Sequence, residues 1–310
     1  MKYNSEHILK SQKGSTYPVI IAVVLVIIAA AASAADIGYS VYQHYTLVSA
    51  TRQAAVKGAE KLQESTSADA AEQAIKKNIM RSVKDLSKFS ANIPDNCREI
   101  TVSVKKPFEY FFVKYFGADK SELNSRVTVR LTGVMAITNV RPFGILQKDL
   151  KFGSQYTLTN SKKAASGSNL KVVPLQLGTD KFKNTVLLGY ADKLKVNDML
   201  SPFKGMNEKV AGEVSSDISA LIGNCSHKPK CTYEKYENDC SRIIILPVIS
   251  GTDKNGQYKI SGFTAFFLEK GKTDGDCFYI TGRFIKHTVK ADMSDGVQNY
   301  GLAAIRVIDN

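Results

Sequence analysis

Three cysteines and a histidine crowd into one short stretch, NCSHKPKCTYEKYENDC, which holds Cys225, His227, Cys231 and Cys240. Thiols and imidazoles are the side chains of disulfide and transition-metal chemistry. The stretch is rich in Lys, Pro, Asn and Asp and has little apolar periodicity. It reads as a loop that a cross-link would fix. Its spacing, C-x-H-x3-C-x8-C, matches none of the common zinc patterns. A local disulfide among Cys225, Cys231 and Cys240 is therefore preferred over a metal set made of the same three and His227. Cys97 and Cys277 complete a count of five, so at least one thiol is left over whatever the connectivity.

Other reactive constellations are missing. His7, His44 and His287 are scattered, with no H-E-x-x-H pair and no G-x-S-x-G elbow. Gly271-Lys272-Thr273 ends like a phosphate-binding loop, but Phe266 stands where its first glycine is needed. Asp274-Gly275-Asp276 lacks the twelve-residue calcium frame. Carboxylate pairs for glycoside hydrolysis can only be assembled from distant positions. No catalytic residue and no cofactor follow from these residues, and the chain reads as non-enzymatic.

Disulfides persist outside the reducing cytosol, so the chemistry of the cysteine loop depends on which side of a membrane it lies. Residues 18–35 read PVIIAVVLVIIAAAASAA, uncharged throughout and with Ser33 as the sole polar member. At ~1.5 Å rise per residue this run covers most of a ~30 Å hydrocarbon layer. Pro18, Val24, Leu25, Ile28 and Ala35 mark the anchor, and Tyr17, Tyr39 and Tyr42 flank it as interfacial aromatics do. Lys10 and Lys13 precede the span and Asp36 follows it, with the next basic residue at Arg52. The positive-inside rule then keeps residues 1–16 in the cytoplasm and exports the rest. The rival is a signal peptide cleaved near Ala32-Ser33-Ala34. The apolar run exceeds the usual ~7–15 residues of such a segment, and the helical rhythm continues past it, which favours retention. Either way the C-terminal bulk is exported.

The expected class is α+β: a cytoplasmic tail (1–16), a transmembrane anchor (17–36), a helical stalk (37–92), a small αβ unit (93–161) and an exported, mainly β domain (170–310). Tyr42, Tyr45, Val48, Ala55 and Ala59 carry the helix beyond the membrane. After ESTSAD, Asp69 and Glu72 suit a capping box for a second helix over 70–89, with Ala71, Ile75, Ile79, Val83 and Leu86 as its stripe. From Cys97 the period changes to two: REITVSVKK, RVTVRLTGVMAIT and KFGSQYTLT read as strands. KKAASGSN has linker composition. Beyond it lie many strand-like runs, among them RIIILPVI, which is expected to be central and covered, and one helix over 207–222.

Lys and Arg outnumber Asp and Glu by 42 to 29, a formal charge of +13. That excess favours acidic lipid or anionic cell-wall polymer. The basic doublets are scattered and no nucleic-acid motif accompanies them, so nucleic acid is not an expected partner.

The block KGSTYPVIIAVVLVIIAAAASAADIGYSVYQHYTLVSATRQAAVKGA resembles the TadE/TadG-like proteins of tight-adherence (Flp) pilus assembly. The likeness rests on Lys13-Gly14, the membrane span, Asp36-Ile37-Gly38 and the Ala-rich continuation. The segment from Cys97 to Asn160, with Lys106–Gly117 and Pro142-Phe143-Gly144, is similar in kind to the β part of that family. CTYEKYENDCSRIIILPVIS, ISGFTAFFLE and YITGRFIK resemble the C-terminal region of its longer, TadG-like members. A prepilin-peptidase site ending at Gly14 would want Glu at position 19, where Val19 stands. The resemblance thus implies an anchored, unprocessed TadG-type role, with the bilayer and other pilin-like membrane proteins as partners. Two other classes compete: an exported surface-binding module or adhesin using its basic surface, and an exported hydrolase.

Overall fold

A computed structural model describes residues 16–65, 67–94, 98–117, 120–147, 149–161 and 168–309. Lys10, Lys13, Cys97 and most of the KKAASGSN linker lie outside these residues. The chain opens with α1 (Tyr17–Ser65) and α2 (Ala68–Ser82), then β1 (Lys88–Asn92), β2 (Glu99–Glu109), a 3-10 turn (Val113–Phe116) and β3 (Lys120–Ile137). There follow β4 (Phe143–Leu146), β5 (Gln155–Thr159), β6 (Asn169–Pro174), α3 (Phe182–Leu187), β7 (Leu194–Lys195), β8 (Met199–Leu200) and α4 (Glu208–Gly223). The last third is β9 (Ile243–Thr252), β10 (Tyr258–Asp274), β11 (Cys277–Ile285), β12 (His287–Val289), β13 (Asp292–Ser294) and β14 (Leu302–Asp309). The class is α+β, as the sequence implies.

α1 runs without a break but lives in two environments. From Val19 to Ile28 every Val, Ile and Leu is 47–68% exposed. This half is long and apolar enough to cross a membrane, and none of its most apolar window is buried in protein. Ser33 satisfies its hydroxyl on the Ala29 carbonyl at 2.9 Å, so the one polar side chain in the run needs no outside partner. From Leu47 onward the helix turns inward. Leu47, Ala50, Ala54, Ala55, Ala59 and Leu62 are buried with Ala71, Ile75 and Ile79 of α2 and with Ile100, Val102, Val104, Val127 and Val129 of the sheet. The small residues let helix and sheet approach closely. A methyl group at Gly58 would collide with Ile75, which is why this turn of α1 needs a glycine.

The expected stalk is therefore corrected in two respects. Its second half, from Leu47 on, is a core element packed on a sheet rather than a free rod. The helical part also ends at Ser82, not near residue 92, because Asp85 takes a left-handed φ of 58° and the Ser87 N–H bonds the Lys105 carbonyl, zipping residues 88–92 onto β2. The cap of α2 is Ser67, whose hydroxyl accepts from the Ala70 N–H at 3.3 Å, rather than the Asp69–Glu72 box.

Two sheets follow. The first has the order β1-β2-β3-β14-β12, with β7 and β13 also paired to the long β3. The second runs β11-β5-β6-β4-β9-β10, and pairing of β10 with β11 closes it into a six-stranded barrel, with β8 appended to β10. RIIILPVI becomes β9, paired on both sides and largely buried. The boundary drawn at 162–169 does not separate two bodies. β14 returns from the C-terminal end to pair with β3, while β4 and β5 belong to the barrel. Alternating residues of β10 feed two cores: Phe266 and Leu268 face α3 and α4, whereas Phe263, Ala265 and Phe267 join Val134, Leu302 and Ala304 of the first sheet.

Candidate metal centre

The loop between α4 and β9 carries Cys225, His227, Cys231 and Cys240. α4 is capped by Asn207, whose side chain accepts from the Val210 N–H at 3.0 Å, and ends at Gly223, so Cys225 emerges directly from its C-terminus. Cys240 sits at the other end of the loop, just before β9. Ser241 closes that end by donating to the Leu221 carbonyl of α4 at 2.8 Å. Arg242 binds the inside: it donates to the Cys231 carbonyl at 2.7 Å and the Leu268 carbonyl at 2.9 Å, and its guanidinium lies 4.6 Å from the centre of the Phe267 ring. Lys228–Pro229 is cis.

These anchors converge four donor atoms. The Cys225 and Cys240 sulfurs are 3.6 Å apart. His227 Nδ1 is 3.5 Å from the Cys231 sulfur and 3.8 Å from that of Cys225. All four ligand atoms lie within 4.8 Å of one another. The three cysteines are buried and are free thiols. The expected disulfide is thus not formed: 3.6 Å is far beyond the ~2.05 Å of an S–S bond. It is instead close to the edge of a tetrahedron whose centre is ~2.3 Å from each sulfur, which is ~3.8 Å. Three sulfurs and one imidazole nitrogen on such a figure suit Zn²⁺. Four protein ligands leave no open position for water, so the set suits a structural ion rather than a catalytic one.

The surroundings agree. His227 Nε2 is 3.1 Å from Asp239 Oδ1. A proton held there frees the Nδ1 lone pair for the cluster, the arrangement in which a carboxylate orients a histidine ligand. The Cys231 amide, followed by the His227 ring, holds the Cys225 thiol down to about 6. Burial pushes Cys240 up to about 12. A buried thiol that resists ionisation beside a ready thiolate is short of a positive charge, and a divalent cation supplies it. The three cysteines also pack into the core shared by the first sheet and the barrel, so an ion here would pin the loop at that seam.

The other residues singled out from sequence fall elsewhere. Pro18, Val24, Leu25, Ile28 and Ala35 are all exposed along the first half of α1. Cys277 stands apart at the start of β11, its sulfur 3.4 Å from Asp276 Oδ1. Asp36, read as a topology-setting charge, is 1% exposed and accepts three backbone hydrogen bonds from the loop after β2. Sequence reasoning missed that role and that of Asp239. The signal for His227 and the cysteines was present, but irregular spacing disguised it.

His287 is a second buried histidine, on β12, its ring 6.2 Å from that of Tyr236 in the cysteine loop. Burial alone pushes it down to about 4. The folded state therefore refuses a proton that the unfolded chain takes up near the ordinary ~6.5. Stability from this group is complete above that pH and is lost as pH falls towards 4, by about 3 kcal/mol. Urea unfolding at pH 7 and pH 4.5 is expected to show a smaller acid loss for His287→Leu than for the wild type. Parallel losses in the two proteins would contradict it.

Comparison with known protein families, curated proteins and solved structures finds no match for this chain.

Proposed function

We propose that the chain is a membrane-anchored, outward-facing and non-catalytic component of tight-adherence (Flp-type) pilus assembly or anchoring. The observation that carries this reading is the division along α1: an apolar half with bare side chains, then a half buried in a β body. One continuous helix of that kind transmits position from a bilayer to a folded outer domain. Lys10 and Lys13 before the span support a cytoplasmic N-terminus by the positive-inside rule. Ala29 to Ala35 present small side chains through which a second apolar helix can approach closely. The TadE/TadG-like segment around Lys13-Gly14 and Asp36-Ile37-Gly38 supplies the link to a pilus.

Deleting the chain from its host is expected to abolish surface fibres, counted by electron microscopy, and a plasmid copy to restore them. Normal fibres together with salt-sensitive loss of binding to anionic wall polymer would replace this reading with that of a surface-binding module, which the +13 charge would serve.

A further inference from the structure

We propose that the aromatic loop after β2, residues 110–117, is a second membrane contact. It seats Phe111, Phe112 and Tyr115 in the interface of the leaflet from which α1 emerges. The proposal rests on reading the first half of α1 as a membrane span.

The loop's height on the helix is fixed by Asp36, the first residue past the apolar run. Its Oδ1 accepts from the Phe111 N–H at 3.1 Å, and its Oδ2 accepts from the Phe112 and Val113 N–H groups at 2.8 Å each. A carboxylate at the rim of a hydrocarbon layer needs such donors to offset its lost hydration. Tyr39, one helical turn further out, packs its ring 5.4 Å from Phe111 and 5.7 Å from Phe108. Between Tyr17 and Ala35, at ~1.5 Å per residue, the helix spans about the thickness of the hydrocarbon. A loop clamped at Asp36 therefore lies at the boundary between acyl chains and headgroups.

The chemistry of the loop suits that level. Phe111, Phe112 and Tyr115 are 56%, 48% and 79% exposed, so three large aromatics on one turn each leave about half or more of their surface bare. Lys114 extends its ammonium 5.4 Å from the centre of the Tyr115 ring. Aromatic rings with a neighbouring lysine are the usual composition of a membrane interface, the rings among the upper acyl chains and the amine at the phosphates. On α1 itself, Ile37 and Val41 remain 61% and 63% exposed, so apolar surface continues past the span at the level of the loop. Clamp and loop together would make a two-point foot that limits tilting of the outer body about a single helix.

The chain contains no Trp, so a single introduced Trp reports its own surroundings. Full-length Phe112→Trp, Leu25→Trp and Leu188→Trp would be reconstituted into vesicles of zwitterionic and anionic phospholipid, with and without bromine on the upper acyl carbons. Leu188 is 69% exposed, distant in sequence from the loop, and serves as the water reference. Rings at a depth of ~5–10 Å lie among the bromines, so emission at position 112 is expected to fall about twofold, emission at position 25, near the centre of the span, to fall by less, and position 188 to be unchanged. Quenching at 25 without quenching at 112 overturns the loop contact and leaves the anchor standing. A blue-shifted but unquenched Trp at 112 means that its ring is buried in protein rather than lipid and also overturns it. Absence of quenching at 25 removes the anchor reading and this proposal with it.

Discussion

Wild-type chain purified without chelators is expected to carry one zinc ion per molecule by native mass spectrometry, and Cys231→Ser with Cys240→Ser to carry none. The expectation follows from three edges of 3.5–3.8 Å in a set whose four donor atoms all lie within 4.8 Å, which a tetrahedral ion fits and a disulfide does not. The effect on stability should be large. A ligand that binds only the native state adds about 4 kcal/mol when present at 1,000 times its dissociation constant, and structural zinc sites usually exceed that. At ~2.1 cal/mol/K of unfolding entropy per residue, each kcal/mol moves the midpoint of a 310-residue chain by ~1.5 °C, so the double variant should melt at least ~6 °C below the wild type. Excess chelator should bring the wild type down to the same point, while Cys277→Ser, outside the cluster, should retain both metal and midpoint. A metal-free wild type with a Cys225–Cys240 disulfide by peptide mapping would overturn the assignment. Asp239→Ala is a finer probe: loss of the carboxylate that orients His227 should weaken zinc roughly 10–100-fold without removing it.

That site explains what the sequence made legible and what it concealed. Residue types were visible in NCSHKPKCTYEKYENDC, and so was its loop character. Donor geometry was not, because the arm between Cys231 and Cys240 returns under the control of partners far along the chain. Arg242 reaches Leu268, and Ser241 reaches back to Leu221. A spacing rule drawn from compact zinc modules cannot encode a return path of that kind. The expected export biased the reading too, since a thiol outside the cytosol is ordinarily expected to oxidise. Local periodicity was the more dependable guide. The 3.6-residue rhythm through Ala71, Ile75 and Ile79 and the alternation through Ile100, Val102 and Val104 both meet the core in the expected phase. Long-range pairing escaped it: nothing in LAAIRVID says that the strand returns to β3, and nothing in the linker-like KKAASGSN says that β5 and β6 pair across it. Register between distant strands depends on which apolar faces find each other, and a single chain does not write that locally. Asp36 shows the same limit at one residue. Its charge is plain from the sequence, yet its work depends on a loop 75 positions away.

Removing residues 18–35 should move the protein from washed membranes to the soluble fraction, with its outer body still folded. The two halves of the expectation have separate physical grounds. Nine Val, Ile and Leu residues between Val19 and Ile28 each favour the bilayer by ~0.3–0.6 kcal/mol on the insertion scale, so the run contributes ~3–5 kcal/mol. One charge at its centre costs ~2.5–3.5 kcal/mol, hence Leu25→Arg alone should release a large fraction of the protein. The outer body keeps its core because the buried face of α1 begins only at Leu47, apart from the Asp36 clamp. On the proposed topology, protease added to intact cells should remove an epitope placed after Asn310 while sparing one before Lys10. Protection of the C-terminal epitope until the membrane is broken would reverse the orientation that Lys10, Lys13 and Asp36 imply, and with it the reading of the outer body as a surface component. Continued retention of the 18–35 deletion would instead mean that the body holds the membrane by itself. The aromatic loop at Phe111 and Phe112 would then be the first surface to alter, since it is the part of the body that Asp36 holds beside the end of the apolar run.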